Sequence, residues 1–167
     1  MDNPHVLIVM GSDSDLPVME EGAKVLAEFG IPFEMRISSA HRSPRRTVAL
    51  ATEAAGRGVR VIIAGAGMAA HLAGVIAAET CLPVIGVPMG GSVLNGLDAL
   101  CSTVQMPVGI PVATMAIGRA GAKNAGIFAV QILALGNPVL SERIKEYREK
   151  MAREVEEKDR VLQSGGK

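Results

Sequence analysis

Short apolar runs alternate with segments of helical periodicity along the first 136 residues. Residues 5–10 form an apolar run that ends at Gly11, and residues 18–29 show the periodicity of a helix that ends at Gly30. The same pattern follows four more times. The further predicted strands are 33–38, 59–64, 83–87 and 111–117, and the further predicted helices are 44–56, 69–80, 95–105 and 122–135. Such alternation is typical of a parallel five-stranded sheet with right-handed crossovers and helices on both faces, which is a three-layer α/β sandwich. By analogy with doubly wound folds, the expected strand order is 2-1-3-4-5.

The composition changes where Asn137 and Pro138 provide the N-cap and first turn of a last helix. Residues 141–160 carry fourteen charges, so this helix is mostly polar. Its narrow apolar stripe consists of Leu140, Ile144, Tyr147, Met151 and Val155. We therefore expect a nucleotide-binding catalytic domain over residues 1–136. The C-terminal helical extension over residues 137–167 is expected to pack on the same subunit or on a neighbouring one.

Charge and aromatic content exclude several classes of partner. Seventeen basic and seventeen acidic residues give a net charge of zero and a pI near 6.8, which disfavours binding to nucleic acid or to an anionic membrane. Aromatic residues make up 2% of the chain, too few for a stacking platform. Residues 61–140 carry only four charges, so we expect a homo-oligomer that buries part of this surface. A membrane helix in the uncharged residues 61–78 is disfavoured because the run contains three glycines and His71.

The cysteines and the N-terminus both favour a cytoplasmic protein. Cys81 and Cys101 lie in apolar stretches, and we expect buried free thiols in a reducing compartment. The first residues show no basic segment followed by an apolar segment and a cleavage site, so no signal peptide is predicted.

In a parallel sheet the strand-to-helix loops open at the carboxyl edge of the strands, where such folds bind ligands. The predicted loops are residues 11–15, 39–44, 65–71, 88–96 and 118–126.

The first two of these loops offer groups suited to a phosphorylated sugar. Gly11 permits close backbone approach, and Ser12 offers a hydroxyl before a helix N-terminus, where anions are favoured. The alternative is that Ser14 and Asp15 only cap the helix. The Asp15 carboxylate would repel a phosphate and is better suited to accept hydrogen bonds from sugar hydroxyls. Arg42 supplies the cation, because its planar guanidinium matches phosphate.

His41 and His71 lie in the second and third loops and are candidate acid/base groups. The alternatives are a loop histidine without a role for His41 and a structural histidine on a buried helix for His71. No metal site is expected, because the three histidines have no cysteine or carboxylate at ligand spacing. A weak dinucleotide fingerprint at residues 65–70 is discounted because no acidic residue ends the following strand. A phospho-receiver domain is discounted because no Asp ends the third strand.

Six motifs together resemble one known family. They are residues 10–15, 39–42, 64–67 with 69–72, 94–98, 104–107 and 120–125. In this order they closely resemble the bacterial N5-carboxyaminoimidazole ribonucleotide mutases of purine biosynthesis, the PurE family of class I type. The resemblance implies a flavodoxin-like fold, a homo-octamer, and conversion of N5-carboxyaminoimidazole ribonucleotide into 4-carboxy-5-aminoimidazole ribonucleotide through trapped carbon dioxide. It also implies that no metal, ATP or organic cofactor is used.

The resemblance also implies roles for single residues. His41 matches the acid/base group, and His71 matches a second histidine of the site. The residues that match substrate-binding positions are Ser12, Asp15 and Arg42, together with Gly11, Ser39, Ala40 and Gly67. Alternative functions are an aminoimidazole ribonucleotide carboxylase that uses free carbon dioxide, and a noncatalytic nucleotide- or flavin-binding module.

Two residues depart from the family pattern. Met68 stands where the family usually has Gly, and Ala73 stands where Leu-Pro-Gly is usual. A methionine at position 68 is unfavourable if the backbone there needs a positive φ.

Overall fold

A computed structural model describes residues 3–165 of the chain. Met1 and Asp2, on which the signal-peptide prediction partly rests, lie outside these residues. The chain divides into two compact units, the first ending at Ala129 and the second beginning at Val130. The expected domain boundary after residue 136 stays a prediction.

Strands and helices alternate as predicted. The strands are β1 (Val6–Met10), β2 (Phe33–Ile37), β3 (Val61–Ala66), β4 (Val84–Pro88) and β5 (Ala113–Thr114). The helices are α1 (Leu16–Glu28), α2 (Pro44–Ala54), α3 (Leu72–Ala78), α4 (Leu97–Val104), α5 (Arg119–Ala134) and α6 (Pro138–Gln163). The predicted glycine at the end of α1 is confirmed, because Gly30 has a φ of 66° and its N–H donates to the Ala27 carbonyl.

All five strands are parallel and follow the order β2-β1-β3-β4-β5, so the predicted topology is confirmed. Strands β1, β3 and β4 lie in the middle of the sheet and are almost entirely buried. Their sequences are continuously apolar because helices cover both faces of the sheet. The edge strand β2 is only partly buried.

Leu7 and Val9 of β1 face α2 and α3 in one apolar cluster. The other buried members of that cluster are Ala51, Ala54, Val59, Ile62, Ala64, Leu72, Ala73, Ile76 and Val84. On the opposite face α1 lies so close to β3 that a Cβ added to Gly65 would collide with Met19 Sδ. The sheet is therefore the middle layer of the predicted sandwich.

Helices α1 and α5 touch through glycine. A Cβ added to Gly22 would lie 2.7 Å from the Ala122 carbonyl oxygen, and one added to Gly126 would lie 2.7 Å from the Gly22 carbonyl oxygen. Glu21 of α1, which is 8% exposed, pairs with Arg119 and Lys123 of α5 at 3.1 and 3.3 Å. Backbone contact and ion pairing therefore hold these two helices together.

The last strand is much shorter than predicted. The sequence predicts residues 111–117, whereas β5 has two residues, which pair with Ile85 and Gly86 of β4. Pro111 has no backbone N–H to donate to a ladder, so regular pairing cannot begin there.

The third helix begins later than the predicted residue 69. Met68 adopts a left-handed backbone with a φ of 56°, and the Ala70 and His71 N–H groups donate two residues back, to Met68 and Ala69. These local bonds keep the segment out of the helix until Leu72. His71 is consequently exposed at the helix N-terminus, and its interpretation as a structural histidine on a buried helix is wrong.

The expected burial of the cysteines is also wrong, because Cys81 and Cys101 are both exposed. Cys81 lies in the turn between α3 and β4, outside any packed element. In α4 the buried residues are Ala99 and Thr103, so Cys101 lies on the opposite face of the helix.

The apolar stripe of α6 is buried only at its start. Leu140 and Ile144 are buried, Tyr147 is half-buried, and Met151 and Val155 are exposed. Among residues 3–165, no helix is both long enough and apolar enough to span a membrane.

Candidate functional site

Four of the five loops at the carboxyl edge of the sheet enclose a cavity of about 760 Å³. The first and second loops contribute Gly11, Ser12, Ser14, Asp15, Ser39, His41 and Arg42, and α1 adds Val18. The third and fourth loops contribute Ala66, Gly67, Met68, Ala69, His71, Met89, Gly90, Gly91 and Ser92. The fifth predicted loop, residues 118–126, does not contribute to the lining. From Arg119 onward these residues belong to α5, where Arg119 and Lys123 pair with Glu21.

Two histidines from different loops meet in the cavity. His41 Nε2 lies 2.7 Å from His71 Nδ1, and the two rings are nearly perpendicular with centroids 4.8 Å apart. A hydrogen bond of this kind needs one ring to donate an N–H and the other to accept, so at least one ring is neutral. The pair can therefore take up a proton at one ring while the other orients it.

Arg42 reaches the first loop. Its Nη2 donates to the Gly11 carbonyl at 3.3 Å, and its backbone N–H donates to Ser39 Oγ at 3.2 Å. The guanidinium is exposed and keeps other donors free for an anion in the cavity. Neighbouring residues of one turn therefore connect to two different loops, Arg42 to the first and His41 to the third.

Ser12 and Asp15 form a capping box on the 3₁₀ turn that precedes α1. Asp15 Oδ2 accepts the Ser12 N–H at 3.2 Å, so Asp15 helps to cap this turn. The alternative that Ser14 and Asp15 cap the helix is met only in part, because Ser12 is the N-cap residue of the turn and no side chain caps α1 itself. Burial raises the pKa of the Asp15 carboxyl above its ordinary value of 3.8. The nearby Asp13 charge adds to this rise, and hydrogen bonds from Ser12 and Ser14 oppose it. Burial disfavours the charged form of this carboxyl, so hydrogen-bond donors on a bound ligand would stabilise that form.

Gly67 of the third loop lies close to Met89, with little room for a side chain. A Cβ added to Gly67 would lie 3.3 Å from Met89 Cβ, so a larger residue would press on this buried methionine. Ala40 is the one residue of the predicted site outside the lining, because it packs against the core cluster of β1, α2 and β3.

The sequence motifs did not identify Ser92 of the fourth loop as a residue of the site. Ser92 lines the cavity and donates to Asp98 Oδ1 at 2.7 Å, and its own Oγ accepts the Leu94 and Gly96 N–H groups. The available signal was the position of Gly90 and Gly91 at the end of a strand. Among residues 3–165 no group of three His, Cys, Asp or Glu side chains is arranged to hold a metal ion.

A parallel sheet of this strand order, with a cavity at its carboxyl edge that carries His41, His71, Arg42 and Asp15, defines a flavodoxin-like α/β protein with a ligand-binding cleft. Within that class the chain belongs to the AIR carboxylase family, whose profile matches residues 5–154. The resemblance seen in the loop motifs is thereby confirmed.

Individual relatives agree with this assignment. The N5-carboxyaminoimidazole ribonucleotide mutase of Pyrococcus horikoshii is 55% identical over 99% of this chain and 92% of its own length. The phosphoribosylaminoimidazole carboxylase of Candida glabrata is 52% identical over 98% of this chain, which spans only 28% of that longer protein. A crystal structure of Treponema denticola PurE superposes with a TM-score of 0.85 at 32% identity, covering 95% of this chain and 98% of the other.

Proposed function

We propose that this chain is an enzyme of purine biosynthesis that converts N5-carboxyaminoimidazole ribonucleotide into 4-carboxy-5-aminoimidazole ribonucleotide. The observation that carries the proposal is the hydrogen-bonded pair of His41 and His71 in a cavity that also holds Arg42 and Asp15. The mutase relatives match almost the whole chain, which supports the same activity.

In this proposal the polar lining holds the ribonucleotide. Arg42 binds the phosphate together with the backbone of Gly11 and the hydroxyl of Ser12, because the guanidinium fork and amide N–H groups suit an anion. The Asp15 carboxylate accepts hydrogen bonds from the ribose hydroxyls. Ser39 and Gly67 complete the binding surface, whereas Ala40 lies outside the lining and packs against the core cluster.

His41 is the proposed acid/base residue. The bond between the exocyclic nitrogen and the carboxyl carbon breaks, which releases carbon dioxide within the cavity. Carbon 4 of the electron-rich ring then attacks that carbon dioxide, and His41 removes the proton from carbon 4 and returns one to the exocyclic nitrogen. His71 orients the His41 ring through the 2.7 Å hydrogen bond. All atoms of the substrate are retained and no step oxidises or reduces it, so the scheme balances without a redox partner.

A second candidate is direct carboxylation of aminoimidazole ribonucleotide by free carbon dioxide. Its support is the 52% identity to a protein named phosphoribosylaminoimidazole carboxylase. A noncatalytic nucleotide- or flavin-binding module is less well supported, because it would have no use for two hydrogen-bonded histidines in the cleft.

We further propose a cytoplasmic homo-octamer. Residues 1–136 are the catalytic domain, and the helix within residues 137–167 packs on its own or a neighbouring subunit. The exposed Met151 and Val155 on that helix support such burial.

The test supplies purified protein with each substrate separately and follows formation of 4-carboxy-5-aminoimidazole ribonucleotide. One reaction contains N5-carboxyaminoimidazole ribonucleotide, and the other contains aminoimidazole ribonucleotide with bicarbonate. Turnover of the first at low bicarbonate supports the mutase. Turnover of the second alone selects the carboxylase, and turnover of neither rejects both enzymes.

A further inference from the structure

Met68 is a lining residue of the cavity to which the proposed reaction gives no role. It is one of two residues other than glycine with a positive φ among residues 3–165, at 56°. A left-handed backbone is unfavourable for a side chain of this kind, and such strain is retained where the surrounding structure enforces it, often at functional sites.

The Met68 side chain is also unusual in its exposure. The large apolar residues of the lining are Val18, Met68 and Met89. Met89 is 4% exposed and Val18 is half-buried, whereas Met68 is 68% exposed. A flexible thioether that lines a cavity without being packed is free to settle on a ligand there.

Two contacts indicate where the parts of the ligand would lie in the cavity. Arg42 connects to the first loop at Gly11, which is where the proposed phosphate and ribose contacts lie. His41 connects to the third loop at His71, three residues after Met68. In the proposed reaction the heterocycle must lie within reach of His41, so we place it next to the loop that carries both His71 and Met68.

We infer that Met68 is a specificity-determining residue that covers the imidazole ring of the substrate with its thioether. This inference rests on the proposed function and adds a residue to it. Sulfur and methyl groups make favourable contacts with aromatic rings, and an apolar cover also keeps water away from carbon dioxide released beside the ring. Met68 therefore contributes to binding through the ring and not through the sugar phosphate.

The test measures binding of two probes by titration calorimetry. Aminoimidazole ribonucleotide carries the ring, and ribose 5-phosphate lacks it. In Met68→Gly, glycine accepts the left-handed backbone without strain, so this variant folds as the wild type does. We expect its dissociation constant for aminoimidazole ribonucleotide to rise about 5- to 20-fold, while that for ribose 5-phosphate stays within about twofold.

Further variants distinguish the effect of the Met68 side chain from the effect of its backbone conformation. Met68→Asn keeps a residue that tolerates a positive φ but removes the apolar group, and it should bind like the glycine variant. Met68→Leu keeps an apolar group and should recover most of the affinity. Asn95→Gly changes the other left-handed residue, which does not line the cavity, and should leave both dissociation constants unchanged.

Each contrary outcome has a distinct meaning. Wild-type affinity for aminoimidazole ribonucleotide in Met68→Gly would overturn the ring contact. An equal loss for both probes would overturn it as well, because Met68 would then act by shaping the whole loop. If the wild type binds ribose 5-phosphate but not aminoimidazole ribonucleotide, the proposed function fails, and the ring contact fails with it.

Discussion

His41 is the residue on which the proposed chemistry depends most directly. In His41→Asn a polar side chain of similar size remains, but it cannot exchange a proton in the working pH range. We expect kcat to fall about 10²- to 10⁴-fold, with little change in substrate affinity. Steady-state kinetics and calorimetry on the same preparation measure both quantities.

His71→Asn is the matched control, because Asn can still offer a hydrogen bond toward His41 Nε2 from the same loop. A smaller loss of kcat is expected if His71 mainly orients its partner. Wild-type turnover in His41→Asn, or abolished turnover with intact binding in His71→Asn alone, would contradict these roles.

Asp15 couples substrate binding to stability. Burial raises the pKa of its carboxyl in the folded protein above 3.8, so the folded state holds the proton at pH values where the unfolded chain has lost it. The free energy of unfolding therefore falls as the pH rises from the pKa of the unfolded chain through the higher pKa of the folded protein. It stays lower above this pH range. Asn cannot ionise, so Asp15→Asn should melt at a higher temperature than the wild type at pH 7.

Thermal denaturation at several pH values checks this prediction. The contribution of ionisation to the difference in Tm should disappear well below pH 3.8, where the Asp15 carboxyl is protonated in both the folded and the unfolded state. The same variant should bind the ribonucleotide more weakly, because the proposed acceptor for ribose hydroxyls is neutral. A lower Tm for Asp15→Asn at pH 7 would show that the hydrogen bond from Ser12 outweighs the cost of burial.

At the scale of elements, the close contact of α1 and α5 depends on glycine. In Gly22→Ala the added Cβ would lie 2.7 Å from the Ala122 carbonyl oxygen, so the helices must separate. Overpacking of this kind costs about 1–3 kcal/mol, whereas alanine gains about 1 kcal/mol over glycine in helix propensity. We expect a net loss of up to about 2 kcal/mol in the free energy of unfolding, measured by urea denaturation.

Gly56→Ala is the control for this prediction. Gly56 lies in the 3₁₀ turn after α2, has no heavy atom within 4 Å of an added Cβ, and is not among the residues with a positive φ. Its substitution should change stability by less than about 1 kcal/mol, in the stabilising direction. Equal destabilisation by both variants would mean that the tight helix contact is not the cause.

Element types were more predictable than element limits. The apolar runs that became β1, β3 and β4 were recognised because full burial requires apolar residues at every position. The late start of α3 and the short β5 were missed. They depend on a left-handed residue and on ladder hydrogen bonds, and hydrophobic periodicity reports neither.

For the whole molecule, we predict a symmetric oligomer. The segment of residues 61–140 that carries four charges also exposes large apolar side chains on and around α4. These are Val93, Leu94, Leu97 and Val104, each at least 49% exposed. Surfaces of this kind are typical of subunit contacts.

Light scattering at micromolar protein concentration checks this prediction. A mass several times 17.4 kDa is expected, and Leu97→Asp should reduce it by placing a charge in the contact. A stable mass near 17.4 kDa for the wild type would contradict the prediction.

Periodicity and loop position in the sequence were enough to predict the α/β class, the strand order by analogy, and the sheet edge at which the candidate site lies. Each of these follows from local burial and from the handedness of crossovers. Tertiary structure alone decided which groups meet. His41 and His71 are thirty positions apart and come within 2.7 Å only because parallel pairing brings the ends of their strands to one edge. The exclusion of the fifth loop from the cavity and the left-handed backbone of Met68 were decided in the same way. Both depend on how the loops lie once the strands have paired, which no pattern along the chain records.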